Sequence, residues 1–527
     1  MRLLFQGNSI DDFYRITMRL TKKLFFALLA AALLLSGCRF QESTSSPQSV
    51  ASAQPDIDPK AYAATRGTKT VVLFRLPSIF SDGMILQRQQ PIHIYGEARN
   101  GQPVTAALST GDTMAAEAAG TAAPENGSFI LSLPPMEAGT GYTLTVTCGD
   151  DARVFRDVSI GEVFLCGGQS NMQLTMDDTV WYGDYYTSRI PSYPDNPAIK
   201  QFLVELDGSD VPKFDCRSEG WTPAVSSNLP RFAPLAYFFA GQVQEALQVP
   251  VGLVMSSAGG SPIQTWYKKE DQLADTDTDG MFYAQRGHQY NAMIAPLMPY
   301  SFSAVLWYQG ESNASYDDPV KYAAQQQELV ASWRRELWDP TIPFYIAELA
   351  GWNDDRFALL RESQRIGAEA MENVHLISNS DLGDPVDIHP RTKDILARRF
   401  ANAYLALEHD MSLPYLAPIP LDIAVEEEQV VITFANVYDG LKTTDGSEKV
   451  AAFQLAGADG RYYPADAVLA ASDKVIVTCQ EVPSPATVRF SFKGYCQNNL
   501  TNSAGIAPYP FRTDTVVLDC PGIVLNN

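Results

Sequence analysis

The chain has little that would serve a metal site, a nucleic acid or a membrane span. Its 527 residues include only seven cysteines and five histidines. No two cysteines form a C-x-x-C pair and no histidine cluster has metal-ligand spacing, so neither a zinc ribbon nor a redox dithiol is encoded, and no cofactor is expected. In an exported chain some cysteines could pair, Cys479 with Cys496 for example. Basic residues are scarce: 39 Lys and Arg stand against 61 Asp and Glu, for a net charge of −22. A body this acidic repels phosphate backbones, which excludes nucleic acid as a partner. The apolar run at residues 24–35 is too short to span a bilayer.

What is present divides the chain. Residues 1–17 read as an upstream extension, and Met18 opens a better start. Residues 18–23 are positively charged, and the apolar run that follows has signal-peptide length. It ends Leu35-Ser-Gly-Cys38, which resembles a bacterial lipobox. That resemblance implies lipid on Cys38 and an exported lipoprotein of the cell envelope, in the periplasm or at the cell surface. Such a chain is anchored to the membrane rather than spanning it. Residues 1–37 are thus extension plus leader, and residues 38–70, rich in Ser, Gln, Pro and Ala, read as a flexible tether. Residues 71–158 carry short alternating runs such as Ile92-His-Ile-Tyr95 and Phe129-Ile-Leu-Ser-Leu133 between turn residues, the pattern of a small β-sandwich. Residues 413–527 return to strand patterns, a second β module.

Between them, residues 159–412 alternate strand-like and helical stretches. Strands are expected at 163–166, 251–255, 304–307, 344–346 and 374–377, and helices at 235–247, 320–337, 357–371 and 395–407. This alternation implies an α/β domain with a parallel sheet, whose ligand site lies outside the carboxyl ends of the strands. Ser170, Gly259-Gly260 and Gln309-Gly310-Glu311 each fall just past an expected strand, and His389 lies in the loop after the last one. Ser170 stands on a Gly-rich turn after a buried run, where a nucleophile can be exposed with its backbone N–H toward an oxyanion. Of the other histidines, His93 lies in a β-module strand, His375 at the start of a core strand and His409 after the last helix. His288 reads as a surface or pocket-wall residue. Only His389 combines a rim loop with a nearby carboxylate. The long insertion between Met172 and Arg231, rich in Tyr, Pro and Asp, has the length of a functional loop, its aromatics serving to stack on a sugar or to pack.

Four stretches now fall in order: Gly168-Gln-Ser-Asn-Met172, Ala258-Gly-Gly-Ser-Pro-Ile-Gln-Thr-Trp266, Trp307-Tyr-Gln-Gly-Glu-Ser-Asn313 and Asp387-Ile-His-Pro390. Together they resemble the SGNH hydrolases, in the form used by sialate O-acetylesterases and related carbohydrate acetylesterases. The likeness runs over residues 76–514, from Leu76-Pro-Ser-Ile-Phe80 to Pro510-Phe-Arg-Thr-Asp514. It implies an SGNH, flavodoxin-like parallel-sheet catalytic domain flanked by N-terminal and C-terminal β modules. It also implies a metal-independent serine esterase that removes O-acetyl groups from a glycan. Sialic acid O-acetyl esters are the family's named substrate, with acetylxylan or another glycan as the alternative. Carried over residue by residue, Ser170 is the nucleophile and His389 the base. The backbone N–H groups of Ser170, Gly259 and Gly260 and the Gln309 side chain are the oxyanion donors.

The acid that orients His389 is either Asp387 or Glu311. The common spacing places Asp three residues before His, where this chain has Val386. Asp387 stands two before, on the same face of an extended segment. Asn171 is read as tying down its own loop. Two other classes compete: a non-catalytic carbohydrate-binding surface lipoprotein, and a phospholipase or lipase. Intact Ser170, Gln309 and His389 speak against the first, and the lack of a long apolar lid against the second.

Overall fold

The structure, a computed structural model, describes residues 57–71, 73–272, 283 and 285–514. The extension, the leader, Cys38 and most of the expected tether lie outside the described residues. The far end of that tether departs from expectation. Pro59–Ala64 form a helix started by Asp58, whose side chain accepts from the Lys60 N–H. Tyr62 and Ala63 are buried, and Asn126 Nδ2 donates to the carbonyls of Ala63 (2.8 Å) and Gly67 (2.7 Å). An Asp-Pro start and one aromatic anchor suffice to order a segment whose composition is otherwise polar.

The central sheet runs in spatial order Val374–Ile377, Phe344–Ala347, Ala304–Tyr308, Asp151–Gly168, Val251–Ser257, Asn196–Leu203 and Trp221–Ala224. All neighbours pair in parallel except the last strand, which is antiparallel. The five expected core runs are all strands of this sheet. Helices Pro234–Leu247, Tyr322–Glu336, Arg356–Glu369 and Lys393–Glu408 supply the crossovers where periodicity placed them. The strands at the centre are buried along their length, which is why they read as continuous apolar runs rather than alternating ones.

Two strands were not expected. Asn196–Leu203 and Trp221–Ala224, both inside the insertion, extend the sheet at one edge. Pro197, Lys200 and Pro223 break their apolar pattern. Lys200 is nonetheless buried, its ammonium bonded to the Gly83 carbonyl (2.9 Å) and Asp157 (2.7 Å).

The boundary drawn at residues 158/159 falls inside a single strand. Asp151–Gly168 is 18 residues long. Its first half pairs antiparallel with Gly139–Cys148 of the N-terminal β region, and its second half is the middle of the parallel sheet. One apolar core runs through both parts. The C-terminal region instead has its own core around Ile432, Leu455, Val475 and Phe490, between two small sheets. It is docked by the buried Arg361, which donates to the Gly494 carbonyl (3.1 Å), and by the Arg512–Glu362 ion pair (2.6 Å). Cys479 and Cys496 are free thiols, so the disulfide suggested for them is absent.

Candidate active site

The strand Asp151–Gly168 delivers its carboxyl end into a forced turn. Gly168 has φ +136°, and a Cβ there would lie 2.0 Å from the Tyr308 carbonyl oxygen. Only glycine fits so close to the neighbouring strand. The chain then enters a short helix, Ser170–Gln173, with Gln169 extended before it. Gln169 N–H donates to the Tyr308 carbonyl (3.0 Å), which ties the turn to the adjacent strand. Ser170 is left half-exposed at the rim, its backbone N–H in the first helical turn, where no intrahelical acceptor exists.

The loop that follows Val374–Ile377 brings His389 over this turn. Its entry is pinned by buried Glu348, whose Oε2 accepts from the N–H groups of Asn379 and Ser380, both at 3.0 Å. Asp384 then accepts from the N–H groups of Val386 (2.8 Å) and Asp387 (3.1 Å), and Asp387 from that of His389 (2.8 Å). Successive Asx turns of this kind fix a loop that has no regular structure. His389 is 4% exposed, and its Nε2 lies 2.8 Å from Ser170 Oγ. Burial, with the nearby Lys393 ammonium adding to it, pushes the imidazole down to about 4. The ring is therefore neutral near pH 7 and able to take a proton from the serine hydroxyl.

The two candidate acids occupy different places. Asp387 Oδ1 lies 3.8 Å from His389 Nδ1. That nitrogen has no hydrogen-bond partner of its own. Glu311 is buried at the start of helix Glu311–Tyr316, and its Oε1 accepts from Asn171 Nδ2 (2.6 Å). Burial raises its carboxyl above the usual range, against the lowering effect of that hydrogen bond. Asn171 also donates to the Ile388 carbonyl (3.0 Å), so it ties the histidine loop rather than its own.

The expected oxyanion donors divide as well. Gly259 stands beside the serine: a Cβ on it would lie 3.4 Å from Ser170 Cβ. Its N–H donates to Gln173 Oε1 (2.6 Å), a side chain that can swing aside. Gly260, half-buried with φ +78°, continues the same turn. Gln309 departs from expectation. It is 0% exposed, and its amide nitrogen faces Gln169 Oε1 (3.1 Å), the Ser261 carbonyl (3.2 Å) and Asn313 Oδ1 (2.8 Å). With those acceptors around it, the amide is held inside the rim rather than turned toward an ester. The reason is its neighbourhood: a helix turn later, Asn313 offers a buried acceptor.

Two side chains here escaped sequence reasoning, and a third, Trp181, was read only as one of the insertion's aromatics. Lys393 opens helix Lys393–Glu408 fully enclosed; only its position just past His389-Pro390 hinted at it. Gln173 caps the Gly259 N–H. Trp181, in the short insertion helix Thr179–Tyr182, lies edge-on to the His389 ring with centroids 4.2 Å apart and is 43% exposed. The aromatic-rich insertion was the signal, though which aromatic reached the histidine depended on the fold. Tyr182 and Tyr186 of the same insertion are buried and pack on each other. His288 sits away from Ser170, against Gly208 and 3.8 Å from Asp210.

Comparison with known proteins bears on the family and the fold. Residues 160–406 match the family model described as carbohydrate esterase, sialic acid-specific acetylesterase. The human sialate O-acetylesterase is 25% identical over 391 residues, covering 66% of this chain and 73% of that protein. The rat sialate O-acetylesterase is 25% identical over 442 residues, covering 68% and 79%. Among solved structures, a carbohydrate acetylesterase from Xanthomonas citri superposes with TM-score 0.76 at 31% identity, covering 84% of this chain and all of that one. The fold is thus shared with a carbohydrate acetylesterase along most of the chain's length. The chain is a carboxylic ester hydrolase, and it belongs to the sialic acid-specific acetylesterase family of carbohydrate esterases.

Proposed function

We propose that this protein removes O-acetyl groups from sialic acid residues of glycans by an acyl-enzyme mechanism on Ser170. The observation that carries the reading is the 2.8 Å contact between Ser170 Oγ and the buried His389 Nε2. Ser170 attacks the acetyl carbonyl while His389 takes its proton. The tetrahedral oxyanion is met by the backbone N–H groups of Ser170 and Gly259, Gln173 moving off the latter, and by the adjoining Gly260 turn. His389 then gives its proton to the departing sugar oxygen, and an acetyl ester remains on Ser170. Water, deprotonated by His389, releases acetate and restores the serine. Asp387 is the acid in this scheme. It lies nearest the free Nδ1, and hydrogen bonds long in the resting state tighten when the imidazolium forms.

Sialate is preferred because the matched family and the curated relatives carry that activity in their names. A second reading is an acetylated neutral glycan such as xylan. Burial, with Asp178 and Asp387 adding to it, raises the Tyr182 hydroxyl, and two carboxylates this close to the insertion helix would repel a carboxylated sugar. Trp181 serves either substrate as a platform for a sugar ring. The test is acetate release from O-acetylated sialic acid and from acetylated xylo-oligosaccharide in parallel, with Ser170→Ala as control. Release only from the xylo-oligosaccharide removes sialate; release that survives in Ser170→Ala removes the serine mechanism. We also propose export and tethering through a lipid on Cys38. Fatty-acid labelling that persists in Cys38→Ala refutes it.

A further inference from the structure

Behind Ser170 and His389 lies a buried polar assembly that the acyl-transfer steps do not use. Lys393 is 2% exposed. Its ammonium donates to Asn171 Oδ1 (2.6 Å) and to the Pro390 carbonyl (2.9 Å). The Asn171 amide in turn donates to Glu311 Oε1 (2.6 Å) and to the Ile388 carbonyl (3.0 Å). The two carbonyls held in this way belong to the residues immediately before and after His389. The amide that links them belongs to the residue immediately after Ser170. Asparagine suits the post because one planar group both accepts from the ammonium and donates to the carboxylate and carbonyl.

Such an assembly is costly to bury and is not explained as a stabiliser. Two ionisable groups out of water often contribute less than well-packed apolar residues of the same size. Burial pulls the Lys393 ammonium down to about 7, with Glu311 and then Asp387 opposing, and burial raises Glu311, so each is pushed toward its neutral form. What the assembly does supply is geometry. It connects the nucleophile turn, the helix that follows Ala304–Tyr308 and both flanks of the base, three segments far apart in the chain.

We propose that Lys393, Asn171 and Glu311 form a clasp that sets the distance and orientation between Ser170 Oγ and His389 Nε2, with Lys393 as its positioning residue. This rests on the Ser170–His389 mechanism above. The clasp touches neither substrate nor reacting atoms and acts through His389.

The test is the double variant Lys393→Met/Glu311→Gln, which leaves no unpaired charge inside. Steady-state acetate release is measured across pH, with thermal unfolding recorded alongside. Misplacing a catalytic group by about 1 Å costs ~10²-fold, so kcat should fall ~10²-fold while KM stays within ~3-fold. The charged and titratable groups facing Lys393 are Glu311, Asp387, His389, Tyr308 and Tyr186. Losing the lysine charge next to His389 should therefore move the acid limb of kcat/KM to higher pH. In a His389→Ala background the same double change should cost nothing further, since parts of one catalytic unit are non-additive. A folded double variant with kcat within ~3-fold of wild type, or an equal further loss in His389→Ala, overturns the clasp. If the double variant does not fold, Asn171→Ser keeps both charges but cannot span to Ile388. The same kcat-specific loss supports the clasp, and full activity overturns it. Activity that is lost in Ser170→Ala but kept in the clasp variants overturns the clasp alone, whereas activity surviving in Ser170→Ala overturns both readings.

Discussion

Exchanging Asp387 for Asn removes one charge and little else. Asn Oδ1 can still accept from the His389 N–H, so the 2.8 Å turn hydrogen bond survives. What disappears is the attraction between the carboxylate and the imidazolium that forms during acyl transfer. At the 3.8 Å separation, Coulomb's law gives about 4 kcal/mol at an effective dielectric of ~20 and about 1 kcal/mol in water. The Asp387 side chain is 27% exposed, which places the pair between these limits. A working figure of about 2 kcal/mol corresponds to a ~30-fold loss in kcat. Glu311→Gln is the matched control. Gln still accepts from Asn171, and Lys393, already lowered to about 7, can go neutral and keep donating. Its kcat should fall less than ~5-fold, because no transition-state charge pair is lost. The assay is kcat for acetate release by both variants, side by side at pH 7.5, with unfolding temperatures as a check on folding. A Glu311→Gln loss equal to or larger than that of Asp387→Asn refutes the assignment of the acid to Asp387.

Other consequences are equally open to measurement. With His389 near 4, its base form dominates throughout the neutral range. The acid limb of kcat/KM should thus fall well below the ordinary imidazole value of ~6.5, activity being lost as pH drops toward the histidine's own value; an inflection near the ordinary value contradicts the burial argument. Trp181→Ala should raise KM for an acetylated oligosaccharide ~2- to 12-fold, the equivalent of ~0.5–1.5 kcal/mol for an aromatic contact. It should leave a small aryl acetate unaffected, and an equal change for both esters would remove the stacking role. Gln309→Ala should act on the fold, destabilising by ~2–4 kcal/mol through orphaned buried partners, as read by denaturant unfolding. A ~10²–10³-fold drop in kcat without that destabilisation would restore Gln309 as an oxyanion donor.

The sequence by itself determined the layout. Strands buried on both faces must be apolar without interruption, so the five core strands and the helices between them stood out. The rule that parallel sheets bind ligands at their carboxyl ends then placed Ser170, Gly259 and His389 on one rim. The Gly-rich turn before Ser170 was legible too, since glycines break a strand locally, but the reason that only glycine fits at 168 lies in the Tyr308 carbonyl of the neighbouring strand. Tertiary structure decided what depends on partners far away in the chain. The pairing of Asn171 with Glu311 spans 140 residues and that of Lys393 with Asn171 spans 222. A buried amide or ammonium takes its role from whichever group faces it, which no local pattern encodes. The acceptors that hold the Gln309 amide could not be foreseen for that reason, and Lys393 was passed over. Asn196–Leu203 was missed because Lys200 looks like a surface residue until Gly83 and Asp157 are seen to meet its ammonium. The strand Asp151–Gly168 shows the same limit. Its change of composition near residue 158 was visible, but only hydrogen-bond pairing revealed that one continuous strand serves two sheets.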